Sequence, residues 1–122
     1  MKIILEFMGK PPSCVKPARR GLIRRVWRNV KGSIRSLRRQ RVYRRRPTIV
    51  NRIARFDVPI NRFDHYTQTV SGYIVPPSSG QYEFFMSVDD EGELWLSKNR
   101  SPRLRRRIIH QRNWTPHNQF FK

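Results

Sequence analysis

A mainly β chain preceded by a basic amphipathic helix is the fold class this sequence predicts, and three observations carry it. Residues 67–75 and 81–88 are rich in Thr, Val, Tyr, Ile and Phe or alternate with a period of two, as half-buried strands do. Turn-forming clusters, Pro76-Pro77-Ser78-Ser79-Gly80 and Asp89-Asp90-Glu91-Gly92, bound them. Upstream, residues 21–41 carry a helical period instead.

The chain has 122 residues, one domain or less. Its hydrophobic fraction of 37% falls below the roughly 45–50% usual for globular domains, so only part of it is expected to pack well. The net charge is +19, which favours polyanionic partners: nucleic acid, acidic lipid, sulfated or sialylated glycan, or an acidic protein face. Charge is unevenly placed. Residues 15–55 hold 16 Lys or Arg and no acid, residues 57–93 hold seven acids and one Arg, and residues 94–122 hold eight bases and no acid. The middle therefore reads as the folded domain and the flanks as basic attachments.

Taken in order, the first 16 residues read as a loop or disordered lead, because Gly9, Pro11, Pro12 and Ser13 break them. In residues 21–41, Leu22, Ile23, Val26, Trp27, Val30, Ile34 and Leu37 fall within an arc of roughly 140° on a helical wheel, with the basic residues outside it. Such a helix can pack on the domain with its arginines in water, or dock on a partner or an anionic surface. Repulsion between Arg24 and Arg28 and between Lys31 and Arg35 opposes it. Arg41 to Arg46, Arg-Val-Tyr-Arg-Arg-Arg, follows as a candidate phosphate-binding patch or nuclear localisation signal, with Arg44, Arg45 and Arg46 as its anion-binding residues and a solvated basic loop as the plain alternative.

Residues 48–56 suit a strand, and residues 57–66 a connecting loop. In residues 81–88, Tyr82, Phe84, Met86 and Val88 share one face, while Phe85 on the other implies burial by a second layer. A turn at Asp89-Asp90-Glu91-Gly92, with Gly92 free to take positive φ, leads into residues 93–97, where Leu94 and Leu96 share a face opposite Trp95. Ile108 and Ile109 suit a short final strand.

No catalytic constellation stands out. His65, His110 and His117 are dispersed, without metal spacing to a Cys or carboxylate, and Cys14 is alone, so no internal disulfide can form. Asp89 and Asp90 are the ligand-like pair: calcium suits two adjacent carboxylates, but it needs about 6–8 oxygens, so others such as Asn99 or Asn118 must contribute. The plain alternative is a solvated turn. Sequons occur at Asn99 and Asn113, each followed by Pro after the Ser or Thr. No run approaches the ~20 apolar residues of a membrane span, and the start is too short and too interrupted by Glu6 for a signal peptide.

Gly72-Tyr73-Ile74-Val75, Pro76-Pro77-Ser78-Ser79-Gly80, Tyr82-Glu83-Phe84, Asp89-Asp90 and Leu94-Trp95-Leu96 occur in the order of the protective-antigen-type (PA-fourteen) domain, which this region resembles. The resemblance implies an antiparallel β-sandwich or barrel and a non-catalytic, often glycan-binding module. It also implies a calcium and sugar role for Asp89 and Asp90, with Trp95 in the ligand site. A narrower likeness covers Ser33-Ile34-Arg35-Ser36-Leu37-Arg38-Arg39 and Asn113-Trp114-Thr115-Pro116, which look like the lumenal stem of animal β-1,4-N-acetylgalactosaminyltransferases, Golgi type II membrane enzymes. The strands that the family places after Trp114 are missing, so a truncated module is expected.

The expectation is thus a disordered lead over residues 1–20, a basic helix and Arg-rich linker over 21–46, and a partial β domain over 47–122. Its function would be carbohydrate recognition without catalysis, placed in the Golgi if the narrower likeness holds. The alternative is an Arg-rich protein that binds nucleic acid or an anionic membrane surface.

Overall fold

A computed structural model describes residues 2–8 (backbone only), 21–57, 65–76 and 78–113. Strands dominate: β1 (Lys2–Met8), β2 (Leu22–Arg28), β3 (Ile49–Ile53), β4 (Tyr66–Tyr73), β5 (Glu91–Ser97) and β6 (Arg105–Gln111), with one short helix, α1 (Ile34–Arg39). The sheet order is β3-β2-β4-β1-β5-β6. Two antiparallel groups, β3-β2-β4 and β5-β6, are bridged by β1, which runs parallel to both β4 and β5. Among the described residues no barrel closes, as an incomplete, mainly antiparallel β fold expects. Among the described residues no helix is long and apolar enough to cross a membrane.

Three sequence expectations are corrected. The long helix over residues 21–41 is a strand followed by a short helix. Leu22 and Val26 lie four apart, a spacing that fits both a helical stripe and every second position of a strand. Arg24 between them hides the alternation, yet in β2 it is buried on the same face and donates from Nε to Gln68 Oε1 at 2.7 Å. Antiparallel neighbours on both sides satisfy the backbone of β2 and spread its arginines, which a helix would stack at repelling distances. Gly21 opens the strand at φ 107, where a Cβ would stand 2.7 Å from the Ile53 carbonyl oxygen. Asn29, also at positive φ, closes it.

The helix proper begins where Ser33 caps it, its hydroxyl accepting from the Ser36 N–H at 3.1 Å. Ile34 and Leu37 are fully buried. A 3-10 turn, Val42–Arg44, follows after Arg41, which sits in the left-handed region at φ 56.

Second, the stretch expected to be a lead holds β1, whose Lys-Ile-Ile-Leu-Glu-Phe-Met backbone fills the centre of the sheet. The Gly and Pro that suggested a break come after it; residues 9–20, with Cys14, lie outside the described residues. Third, residues 81–88 join no strand ladder. Their alternation is nonetheless real: Met86 and Val88 are buried and Phe84 partly so, whereas Phe85 is 46% exposed rather than covered by a second layer.

Hydrophobic residues pack on both faces of the sheet. Leu22, Val70, Met86, Val88 and Leu94 form one cluster; Trp27, Leu37 and Val42, under α1 and the 3-10 turn, form the other. The second cluster anchors α1 to the sheet and so positions the residues of the site.

Candidate functional site

Along β5, Glu91, Glu93 and Trp95 alternate onto one face, opposite Leu94 and Leu96. Glu93, 2% exposed, is the hub. Arg38 of α1 binds it with both terminal nitrogens, at 2.6 Å to Oε2 and 3.3 Å to Oε1; Arg107 of β6 donates to Oε1 at 3.2 Å, and the Trp95 indole N–H to Oε2 at 2.8 Å. Burial alone would raise the Glu93 carboxyl, but the hydrogen bonds from Arg38 and Trp95, the Arg38 charge and the Arg107 hydrogen bond outweigh it, and the group is held below the ordinary carboxylate range. Two residues earlier, Glu91 accepts the Ile34 N–H at 3.0 Å, capping the start of α1, and meets His110 Nε2 at 3.1 Å.

Glu91, Glu93 and His110 lie close enough to be candidate metal ligands, the group of this kind among the described residues. Their environment argues for a different role. Both Glu93 oxygens already accept from guanidinium or indole donors, and two arginine charges at the site repel a cation. The trio is a buried polar network that ties α1 and β6 to β5.

Above this network lies a cavity of about 360 Å³. Tyr43 and Trp95 give it aromatic lining and Thr69 of β4 a hydroxyl; Arg38, Arg41, Arg44 and Arg105 supply four guanidinium groups, with no carboxylate among the lining residues. Both rings are held in place. The Tyr43 hydroxyl shares a hydrogen bond with Thr67 Oγ1 at 2.8 Å, and its ring meets Trp27 edge-on at 5.4 Å between centroids. Burial first of all pushes the Tyr43 hydroxyl up to about 12, so it stays protonated. The Trp95 ring is fixed by Glu93 and carries the Arg38 guanidinium 5.4 Å from its centre, a cation–π arrangement.

The residues expected from sequence to bind ligands are divided by this geometry. Trp95 and Arg44 line the cleft. Arg45 turns back to α1, donating to the Gln40 carbonyl at 3.3 Å while its own carbonyl accepts the Trp27 indole N–H at 3.0 Å. Arg46 is exposed and does not line the cavity. Asp89 and Asp90 precede β5, with Asp90, not Gly92, taking the positive φ (75) of the turn. At about 3.3 Å per residue, they lie well over 10 Å along the strand from Trp95. Asn99 stands beyond the opposite end of β5, its side-chain oxygen accepting the Ser101 N–H at 2.8 Å, away from the aspartates it was expected to help. Asn118 and His117 lie outside the described residues.

Sequence reasoning missed Arg38, Thr69 and Arg105 as ligand residues, and marked Arg41 and Tyr43 only as members of the basic run 41–46, without singling them out. Charge density alone marked the arginines, without selecting these from their neighbours; their convergence depends on where α1 lands on the sheet.

The open, mixed sheet thus carries a cleft lined by aromatic and basic side chains. Residues 48–101 match the family model of the PA14 domain, the same protective-antigen type that the strand and turn motifs resemble. PA14 domains are a carbohydrate-binding type of module, non-catalytic when taken alone. Searches of curated proteins and of solved structures find no significant match. The matched segment holds β3, β4 and β5 and contributes Thr69 and Trp95 to the cleft, whereas all four cleft arginines lie outside it.

Proposed function

We propose that this chain is a carbohydrate-recognition module without catalytic activity of its own, and that saccharide binds in the cleft beside Trp95. The observation that carries the reading is the PA14 match over residues 48–101, because that segment supplies Trp95 and Thr69 to the cleft. Sugar rings present C–H faces that pack on aromatic surface, and their hydroxyls need fixed donors and acceptors; the cleft offers both. Calcium at Asp89 and Asp90 is a separable part of the proposal, resting on the family resemblance of that turn. So is a parent enzyme, a Golgi N-acetylgalactosaminyltransferase carrying this module as an accessory domain, for which in-frame sequence encoding a transferase region is the check.

A second reading, binding of nucleic acid or an anionic membrane, is favoured by the net charge of +19. A glycan array probed with the whole chain at about 0.15 M salt separates the two. Carbohydrate recognition predicts selective saccharide binding that Trp95→Ala weakens about tenfold. Binding to any polyanion regardless of sugar, falling by orders of magnitude between about 50 and 200 mM salt, contradicts it. A chelator arm tests the calcium component: if calcium serves the site, chelation and Asp89→Ala or Asp90→Ala each weaken sugar binding.

A further inference from the structure

We infer that the cleft selects an anionic saccharide, one carrying a sulfate or carboxylate, and that Arg41 and Arg44 hold the anionic group. This rests on the carbohydrate-recognition reading and adds the class of sugar. The four guanidinium groups of the cleft are not equivalent. Arg38 is engaged by Glu93, and Arg105 donates to the Pro102 carbonyl at 3.2 Å. Arg41 and Arg44 are exposed, and among the described residues neither side chain has an acidic partner.

Arg41 and Arg44 flank one 3-10 turn, joined by a hydrogen bond from the Arg44 N–H to the Arg41 carbonyl at 3.1 Å. Both side chains line the same cleft. Two like charges held together repel, and a bound anion relieves that repulsion. The planar guanidinium fork matches the oxygens of a carboxylate or sulfate in bidentate geometry.

The rest of the cleft suits the neutral part of such a ligand. Tyr43 and Trp95 offer apolar surface already locked by Thr67, Trp27, Glu93 and Arg38, so little side-chain freedom is lost on binding. A volume of about 360 Å³ lies at the small end of the range for ligand sites, about 300–1,000 Å³, and suits one or two sugar rings better than a run of stacked nucleotides. The PA14-matched segment thus supplies aromatic and hydroxyl contacts, and the flanking basic segments supply selectivity for acid.

Isothermal titration of the whole chain with N-acetylgalactosamine, its 4-sulfate, N-acetylneuraminic acid, inorganic sulfate and a thymidine oligonucleotide tests the inference. At least one of the two acidic sugars is expected to bind about tenfold or more tighter than both the neutral sugar and inorganic sulfate. Arg41→Gln/Arg44→Gln weakens the acidic sugar about tenfold more than the neutral one and so removes that gain. Arg35→Gln/Arg39→Gln, the same charge change on exposed α1 positions, leaves it within about twofold. Equal affinity for neutral and acidic sugars overturns the acidic class while the module reading stands. Inorganic sulfate binding as tightly as the sulfated sugar, or an oligonucleotide binding more tightly in an Arg41- and Arg44-dependent manner, overturns it in favour of a simple anion or a nucleic-acid site. Failure of every sugar to bind removes the module reading and this inference together.

Discussion

At the scale of single residues, Glu93 decides how the site is held. It is a buried carboxylate whose four contacts come from three elements: Arg38 of α1, Arg107 of β6 and Trp95 of β5 itself. A charge so placed is stable only while its donors surround it. Glu93→Gln keeps the shape and removes the charge, and is expected to cost about 2 kcal/mol or more at neutral pH, read from urea unfolding. Because the folded-state carboxyl is held below its ordinary value, its contribution is full above the ordinary carboxylate range and is lost as pH falls through the depressed value. The gap between wild type and Glu93→Gln should therefore narrow with acidification over that window. A gap that is constant with pH would show that the charge of Glu93 contributes nothing and that the loss is one of packing alone.

At the scale of elements, β2 is where local pattern and tertiary pairing diverge. The apolar residues of positions 22–37 share a helical arc, yet residues 22–28 pair with strands on both sides and only 34–39 form a helix. The spacing of Leu22 and Val26 fits both periods, and the deciding partner, β4, lies about forty residues on. Gly21→Ala separates the two structures by sign. In the strand, the substitution meets both φ 107 and the Ile53 carbonyl and should cost about 1–3 kcal/mol in the same urea assay. In a helix starting at that position it would be neutral or stabilising by up to about 1 kcal/mol. Strands β3, β4, β5 and β6 were legible because their β-branched or alternating runs are bounded by turn residues. β1 was hidden by the Gly and Pro that follow it, and the segment around Met86 shows that an alternating run records burial without guaranteeing a ladder.

At the scale of the whole molecule, two features that look opposed in the sequence meet in one place. The basic flanks suggested a polyanion binder and the acidic centre a sugar-binding module; α1 and the 3-10 turn fold the first flank over β5, and β6 brings the second beside it. Two of the seven cleft residues were singled out before folding: Trp95 stood out within its strand motif and Arg44 within its basic run. Arg38, Arg41, Tyr43, Thr69 and Arg105 were not, since nothing local distinguishes them from their neighbours until Leu37 and Val42 pack against Trp27. The run of β5 between them separates Trp95 from the Asp89–Asp90 turn, so the two candidate sugar-binding features can be tested apart. The most direct measurement is an NMR titration of the labelled chain with sulfated N-acetylgalactosamine, following the indole and backbone N–H resonances. Binding in the cleft predicts that the Trp95 indole moves with the ligand while the Trp27 indole, turned to the Arg45 carbonyl, stays still. Movement confined to the amides around Asp89 and Asp90, with Trp95 unchanged, would contradict the account.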